Sequence, residues 1–434
     1  MEALGIGLII LLVLLFLGMS VAMSFGVLAI FLVYWFQIDT AFLVPVAFYQ
    51  MKSVVLLATP FFILIGVLMS ITGMSKRLVD FIVAFVGSLK GSLGVVAVVA
   101  SALFGTIGGT CSAAVAAIGS ILIPEMEKEG YPRGYATALV SCSSVLGQLI
   151  PPSVPMIFFA LLTQQSVPAC WLATVLPGGV VIVVFSVMNC IMVRKFPNLK
   201  TYPRLPLKER IQTISKASRS GIPTMILPVL ILGSVYGGIA TPTESAAVGF
   251  AYLLITGFFV LKTLNISKFR QACITAGSTA GVILIMLFFV LMTSRILSLQ
   301  QIPSQIAEIV MTISPNKYVI LLMMNIFLLI IGMLMEETCG TVLAALLLYP
   351  IAQNIGVHPL HFAAIVGVNL GLGNVTPPTA PILYLGGRIG NCNLEEYIKP
   401  ALTLMWVGML PVLILTTYIP AISLFLPRLA GFVH

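Results

Sequence analysis

Charge is what this sequence has least of. Asp, Glu, Lys and Arg make up 8% of its 434 residues, whereas 59% are hydrophobic. Soluble domains carry about 25% charged residues. A mean hydropathy of +1.13 leaves more apolar surface than a soluble core can hide. The composition therefore excludes a soluble globular domain and predicts an all-α polytopic membrane protein. At ~20 residues per span, the apolar runs allow roughly ten to twelve crossings, some of them partial. Seven cysteines are present, but no two form Cys-x-x-Cys. In apolar runs a free cysteine behaves as a small hydrophobe, so neither a disulfide framework nor a zinc site is expected. The sequence has no Gly-x-x-x-x-Gly-Lys-Ser/Thr loop, no nucleophile elbow and no Asp-rich metal motif. ATP-driven transport by this chain alone, and a membrane-bound enzyme, both lack support. His358 and His361 lie three residues apart without an acidic or thiol companion, which argues against a metal pair. No catalytic residue, cofactor or metal is expected, Na⁺ as a coupling ion excepted.

What charge there is has a pattern. The formal net charge is +9, and residues 194–219 hold eight bases (Arg194, Lys195, Lys200, Arg204, Lys208, Arg210, Lys216 and Arg219) against one acid, Glu209. Short Lys/Arg-rich connections stay cytoplasmic. The segment 194–220 is thus expected to be a cytoplasmic loop between a first half, 1–193, and a second half, 221–434. This reading is preferred to a nucleic-acid patch. Residues 1–36 lack a basic start and form too long an apolar run for a cleavable signal.

One motif occurs twice. Gly147-Gln148-Leu149-Ile150-Pro151-Pro152-Ser153-Val154-Pro155 and Gly373-Asn374-Val375-Thr376-Pro377-Pro378-Thr379-Ala380-Pro381 both read Gly-x-x-x-Pro-Pro-Ser/Thr-x-Pro, 226 residues apart (373 − 147). Two adjacent prolines break a helix, because proline has no backbone donor and clashes with the carbonyl one turn earlier. Within lipid such a break is tolerated only where it is buried in protein or lines a cavity. Broken apolar segments at matching places in two halves point to a transporter's binding site.

A second pair of landmarks keeps nearly the same offset. Thr110-Cys111-Ser112 corresponds to Thr338-Cys339-Gly340, and Pro124 to Pro350. Around 105–125 a small, hydroxyl-rich stretch interrupts an apolar run, which reads as a re-entrant hairpin with its tip near 109–112. The second hairpin is placed at about 332–352. The broken helices are placed at about 134–164 and 358–388. Spans are expected near 4–36 (two, with a weak point between Gly18 and Gly26), 54–72, 171–193, 223–239, 243–262, 272–294, 318–333 and 400–427, the last interrupted by Pro411 and Pro420. Residues 41–52, 76–90 and 302–313 read as interfacial or amphipathic. The two halves are expected to be inverted repeats.

Carbonyls that lose their donors at the breaks, facing hydroxyls from a hairpin tip, suit a hard monovalent cation. The first-half candidates are Thr110, Ser112, Gly147, Ile150 and Pro152. The second-half candidates are Thr338, Gly340, Gly373, Thr376 and Pro378, with Thr341 as a further hydroxyl. Helix N-termini at the tips favour an anion between the two cation sites. Ser143, Ser144, Gln148, Ser153, Asn369, Asn374 and Thr379 are the candidates for that central site. Glu244, in Thr241-Pro242-Thr243-Glu244, reads as a helix cap. Of Glu336 and Glu337, one is placed to ligate a cation. Arg295 and Arg388 read as snorkelling side chains near span ends.

These residues resemble the large membrane subunit (M, or DctM-like) of the TRAP, or tripartite ATP-independent periplasmic, transporters. The resemblance runs from about residue 1 to 427. It rests on Pro60-Phe61-Phe62-Ile63-Leu64, Phe104-Gly105 with Ala116-Ala117-Ile118-Gly119-Ser120, Ile123-Pro124-Glu125-Met126, Ile150 through Ile157, Thr241 through Val248, His361-Phe362, and Asn369 with Thr376-Pro377-Pro378. It implies an elevator-type secondary transporter with a scaffold and a mobile transport domain. It implies Na⁺-driven uptake of an organic acid through a bacterial inner membrane. A small membrane subunit (Q, or DctQ-like) and a periplasmic substrate-binding protein are the implied partners. A stand-alone carboxylate transporter of similar fold is the alternative. Two departures fall at the tips. Gly108-Gly109-Thr110-Cys111-Ser112-Ala113-Ala114 stands where the family usually has Ser-Gly-Ser-Ser-Ala-Ala-Thr, and Met335-Glu336-Glu337-Thr338 stands for Met-Asp-Pro-Thr. Both shift the expected cation contacts from side chains to the backbone carbonyls of the breaks.

Overall fold

The computed structural model describes residues 2–86, 90–197, 199–200 and 207–433, and every regular element among them is helical. Eight helical segments are long and apolar enough to cross a membrane among the described residues, from Val54–Ile71 to Leu394–Tyr418. Large apolar side chains point outward on the longest of them, including Val229 and Val282, both more than half exposed. In water that surface would be unfavourable, whereas in lipid it costs nothing. The chain is a multi-pass membrane protein.

The helices form two groups. Val21–Phe36, Ala58–Ile71, Met74–Val86, Leu207–Tyr236, Pro242–Ile255 and Ile266–Leu299 pack mainly on one another. Residues 92–192 and 317–429 interlock into a core. In Met74–Val86, Leu78, Val79 and Ile82 are buried while Lys76 and Asp80 are exposed. This apolar face lies on Leu207–Tyr236 and Ser92–Gly108, so the amphipathic pattern marks a packed helix.

Both expected hairpins are present. In the first, Ser92–Gly108 ends at Gly109, whose φ of +65° is the left-handed conformation glycine adopts at little cost. Thr110 is extended, and its hydroxyl accepts from the Ala113 N–H, starting Cys111–Lys128. In the second, Lys317–Leu334 gives way to two extended residues, Met335 and Glu336, before Glu337–Leu347. Both broken helices are present too. Arg133–Ser143 and Leu146–Leu149 precede the first break, and Val154–Thr163 follows it. Pro359–Asn374 and Pro381–Ile389 flank the second. The Pro151-Pro152 and Pro377-Pro378 bonds are both cis.

Three local expectations are corrected. The first apolar run breaks at 17–20, between Glu2–Phe16 and Val21–Phe36, and Gly26 lies inside the second helix against Phe289. The basic segment 194–220 is only partly loop. Helix Leu207–Tyr236 starts within it, because Lys, Glu, Arg, Gln and Ala there are good helix formers. Arg204 lies outside the described residues. Pro411 does not interrupt the last span. A π turn, Leu404–Met409, precedes it, and the Leu410 N–H bonds the Met405 carbonyl five residues back. This register shift absorbs the donor that proline lacks. Only Pro420 separates two helices there, Leu410–Tyr418 and Pro420–Leu429.

Candidate functional site

Glycines let each hairpin meet its own broken helix at backbone distance. A β-carbon on Gly105 would lie 2.8 Å from the Gly147 Cα, and one on Gly147 would lie 2.6 Å from the Thr110 carbonyl oxygen. The second half repeats this. A β-carbon on Gly332 would lie 3.0 Å from the Gly373 Cα, and one on Gly373 would lie 2.6 Å from the Gly332 Cα. No side chain fits at these crossings. The first tip also reaches its break directly, since the Val154 N–H donates to the Gly109 carbonyl at 3.0 Å.

The two halves then meet at the tips. The Cys111 N–H, at the start of the first hairpin's second helix, donates to Glu337 Oε1 at 2.8 Å across 226 residues of sequence. At the tips Cys111 corresponds to Cys339, so this bond joins the two tips two residues off equivalence. Val145 and Gly371 each stand two residues before the matched glycines Gly147 and Gly373, 226 apart (371 − 145), and a β-carbon on Gly371 would meet the Val145 side chain. In a two-fold arrangement a position touches its own equivalent only at the axis. The broken helices therefore meet on the axis that relates the halves, and the hairpin tips join beside it. The Asn374 Nδ2 donates to Glu337 Oε2 at 3.4 Å, so the second break joins the same point. A connected path runs from one break through both tips to the other break.

The sequence-predicted residues divide by where this geometry puts them. Thr110, Gly147, Pro152 and Ser153 line the junction of the first tip and break. Ser112 lies beside them, its hydroxyl 3.4 Å from that of Thr110. Thr338 and Asn374 flank Glu337. Several buried polar atoms there have no partner: Ser143 Oγ, Ser153 Oγ, Thr338 Oγ1, Asn374 Oδ1 and Thr379 Oγ1. A polar atom held without a partner inside a membrane protein costs several kcal/mol, so these atoms are poised for a ligand.

Other candidates are engaged elsewhere. The Ser144 hydroxyl donates to the Ser141 carbonyl, and the Gln148 Nε2 donates across the halves to the Gly367 carbonyl at 2.8 Å. Asn369 donates to Asn325, at 2.9 Å to its carbonyl and 2.7 Å to Oδ1, while its own Oδ1 has no partner. The Thr376 N–H donates to the Gly373 carbonyl and its hydroxyl to that of Leu372. The Tyr384 hydroxyl donates to the Pro378 carbonyl. Thr341 donates to the Glu337 carbonyl at 2.7 Å. Gly340 lies against the Leu370 side chain, and Ile150 packs its side chain on Gly178.

Glu244 caps its helix. Its carboxylate accepts from the Thr241 N–H and hydroxyl, both at 2.8 Å, and the Thr241 hydroxyl accepts from the Glu244 N–H. His358 accepts from the Leu360 N–H and His361 bonds the Thr417 carbonyl, so the two rings serve different partners. Arg295 and Arg388 are both exposed. Two cavities, about 350 Å³ near Gly5, Leu8 and Phe327 and about 410 Å³ near Arg388 and Tyr397, are not lined by tip residues.

The sequence reading missed three features. Gly332 pairs with Gly373, and it lies 227 residues after Gly105, between the 226 and 228 offsets of the other landmarks. The polar cluster of Asn325, Thr417 and His361 joins distant segments and leaves no local signature. Glu337, one of two acids expected at a cation, accepts a hydrogen bond from the opposite tip.

Hairpin tips and broken helices paired across an axis are a transporter's architecture. The sequence matches the DctM component of the tripartite ATP-independent periplasmic transporter over residues 8–422. The chain belongs to that family. It is a TRAP large permease, a transporter subunit and not an enzyme. It is 35% identical over 376 residues to the C4-dicarboxylate TRAP transporter large permease protein DctM of Pseudomonas aeruginosa, covering 87% of each chain. It is 32% identical to the sialic acid TRAP transporter large permease protein SiaM of Vibrio cholerae, covering 96% of each. It is also 32% identical to the isethionate TRAP transporter permease protein DctMQ of Oleidesulfovibrio alaskensis, matching 94% of this chain but 64% of that longer protein. The fold is similar to that of the YdaH transporter of Alcanivorax borkumensis, with a TM-score of 0.62 at 16% identity over 90% of this chain and 88% of that one.

Proposed function

We propose that this TRAP large permease imports an organic acid across a bacterial inner membrane, driven by a sodium gradient. It works with a small membrane subunit and receives its substrate from a periplasmic binding protein. The observation that carries the reading is the meeting of both breaks on one axis with both tips beside it, and with buried polar atoms left unpartnered around them. Breaks supply carbonyls for Na⁺, through Gly147, Ile150 and Pro152 in the first half and Gly373, Thr376 and Pro378 in the second. The tips add the hydroxyls of Thr110, Ser112 and Thr338, beside Gly340. Ser143, Ser144, Gln148, Ser153, Asn369, Asn374 and Thr379 remain the substrate candidates, and those with free buried atoms come first. Three relatives are named for acids, namely a C4-dicarboxylate, sialic acid and isethionate, which supports an acid here.

In this mechanism the interlocked core moves against the outer helices as an elevator. The glycine crossings hold hairpin to broken helix so that each cation site travels intact. Uptake by proteoliposomes tests the scheme. Accumulation of an organic acid is expected only with an inward Na⁺ gradient, the small subunit and the binding protein together. Equal uptake from the large chain alone would favour the stand-alone transporter, and uptake indifferent to Na⁺ would remove the sodium assignment.

A further inference from the structure

The two breaks share a motif but do not treat their carbonyls alike. In the first half no donor among the described residues reaches the carbonyls of Gly147, Ile150 or Pro152. In the second half two of the three equivalents are bonded by the chain itself. The Gly373 carbonyl takes the Thr376 N–H at 2.9 Å, and the Pro378 carbonyl takes the Tyr384 hydroxyl. The first of these donors is backbone and fixed, whereas the second sits on a side chain that can turn. Tyr384 stands 226 residues after Phe158 (384 − 158), so the matching place in the first half offers no hydroxyl. Phe158 is fully buried, while Tyr384 is partly exposed and Pro378 is exposed. Tyr384 also lines the cavity of about 410 Å³ that holds Arg388, Asn391 and Tyr397, where its hydroxyl has room and polar partners. That cavity lies on the side of the basic segment. The Lys200 N–H bonds the Glu129 carbonyl, and nearby Arg133 donates through Nε to the Gly390 carbonyl at 2.6 Å.

We propose that the Tyr384 hydroxyl competes with Na⁺ for the Pro378 carbonyl, and that the second cation site loads as this side chain swings into the neighbouring cavity. The inference rests on the sodium reading of the breaks and goes beyond it, since it gives the two sites different strengths. A carbonyl oxygen has two lone pairs, so space alone admits both partners. Their charges oppose it: the hydroxyl proton and the cation are both positive, and each weakens the other's hold on a shared oxygen. Tyr384 therefore lowers the affinity of the second site. The first site, with Phe158 at the matching place, has no such competitor. As Na⁺ leaves, the hydroxyl returns to the carbonyl, and the hydrogen bond regained favours unloading. Lys/Arg-rich connections stay cytoplasmic, which puts this exchange at the cytoplasmic side, where an importer gives up its ion. Tyr384 is a positioning residue, because it touches a ligand of the cation and not the cation itself.

The test follows Na⁺ binding by the purified full chain in detergent, with choline chloride keeping the ionic strength constant. Thermal unfolding over a NaCl series gives the Na⁺ concentration at half-maximal shift. Tyr384→Phe keeps the ring and installs the residue of the first half. It is expected to lower that concentration by about two- to tenfold, the net worth of one hydrogen bond. Tyr397→Phe removes a hydroxyl from the same cavity without touching the Pro378 bond, and is expected to leave the concentration unchanged. Loss of a merely structural contact would weaken the Na⁺ response, so the direction of the change decides. A second readout needs no folded variant. In the wild type, NaCl against choline chloride is expected to give a tyrosine difference in near-ultraviolet absorbance, because a phenol exchanges its hydrogen bond. An unchanged or weaker Na⁺ response in Tyr384→Phe overturns the proposal and leaves the sodium reading standing, as does an equal gain in Tyr397→Phe. A wild type that responds to Na⁺ without a tyrosine difference overturns it too, as does a difference that persists in Tyr384→Phe. A wild type whose unfolding is indifferent to Na⁺ removes the sodium reading and this inference together.

Discussion

At the residue scale the most demanding positions are glycines. Gly147 and Gly373 each face backbone at 2.6 Å from where a β-carbon would stand, and backbone cannot swing aside as a side chain does. Gly147→Ala or Gly373→Ala is expected to cost about 1–3 kcal/mol of stability, as overpacking does, and to abolish uptake. Gly233 has nothing within 4 Å, and Gly233→Ala is expected to leave uptake intact and raise stability by up to ~1 kcal/mol through helix propensity. Thermal unfolding and uptake of the three variants check the contrast. Glu244 offers the opposite case, an acid in an apolar run that works as a cap. Glu244→Ala is expected to lose about 1 kcal/mol without changing which substrates compete for uptake. A shifted competition profile at normal expression would count against the cap. Both features differ in legibility. The capping box was readable because all its parts lie within four residues. The glycine crossings join positions about 40 residues apart, and only the repeat offset hints at the second one.

At the element scale the organising event is the interrupted helix. The two Pro-Pro breaks and both hairpin tips were legible, because proline and small residues act locally and their order recurs, whereas Pro124 closes nothing and lies inside Cys111–Lys128. Pro411 shows the limit. A proline predicts a break only if the preceding turn keeps α-helical register, and the π turn at Leu404–Met409 does not. The start of Leu207–Tyr236 inside the basic segment shows another, since Lys and Arg serve topology and helix propensity alike. Pro151→Ala with Pro152→Ala restores two backbone donors and allows Leu146–Leu149 and Val154–Thr163 to join as one helix. This double variant is expected to insert and express normally but to lose uptake, because the carbonyls it covers are those offered to Na⁺. Retained uptake at wild-type rate would mean that the break is not part of the site.

At the scale of the whole molecule, the membrane class, the two halves and their matching landmarks followed from composition and spacing. How the halves face each other did not. That Val145 touches its own repeat equivalent, Gly371, is a statement about an axis, and no local pattern encodes an axis. For the same reason the substrate candidates could be named but not ranked. Gln148 and Asn369 look like binding residues in sequence, yet their amides tie helices together. Ser153, Thr338 and Asn374 keep buried polar atoms free. The account's central claim is that the paired tips and breaks hold Na⁺. The direct measurement is thermal unfolding of the purified chain in NaCl against matched KCl and choline chloride. A ligand at 100 times its dissociation constant stabilises by about 2.7 kcal/mol, so a millimolar site in ~100 mM salt gives a readable shift. A Na⁺-specific rise that shrinks in Thr110→Ala and Thr338→Ala is the predicted result. Identical unfolding in the three salts would contradict the claim.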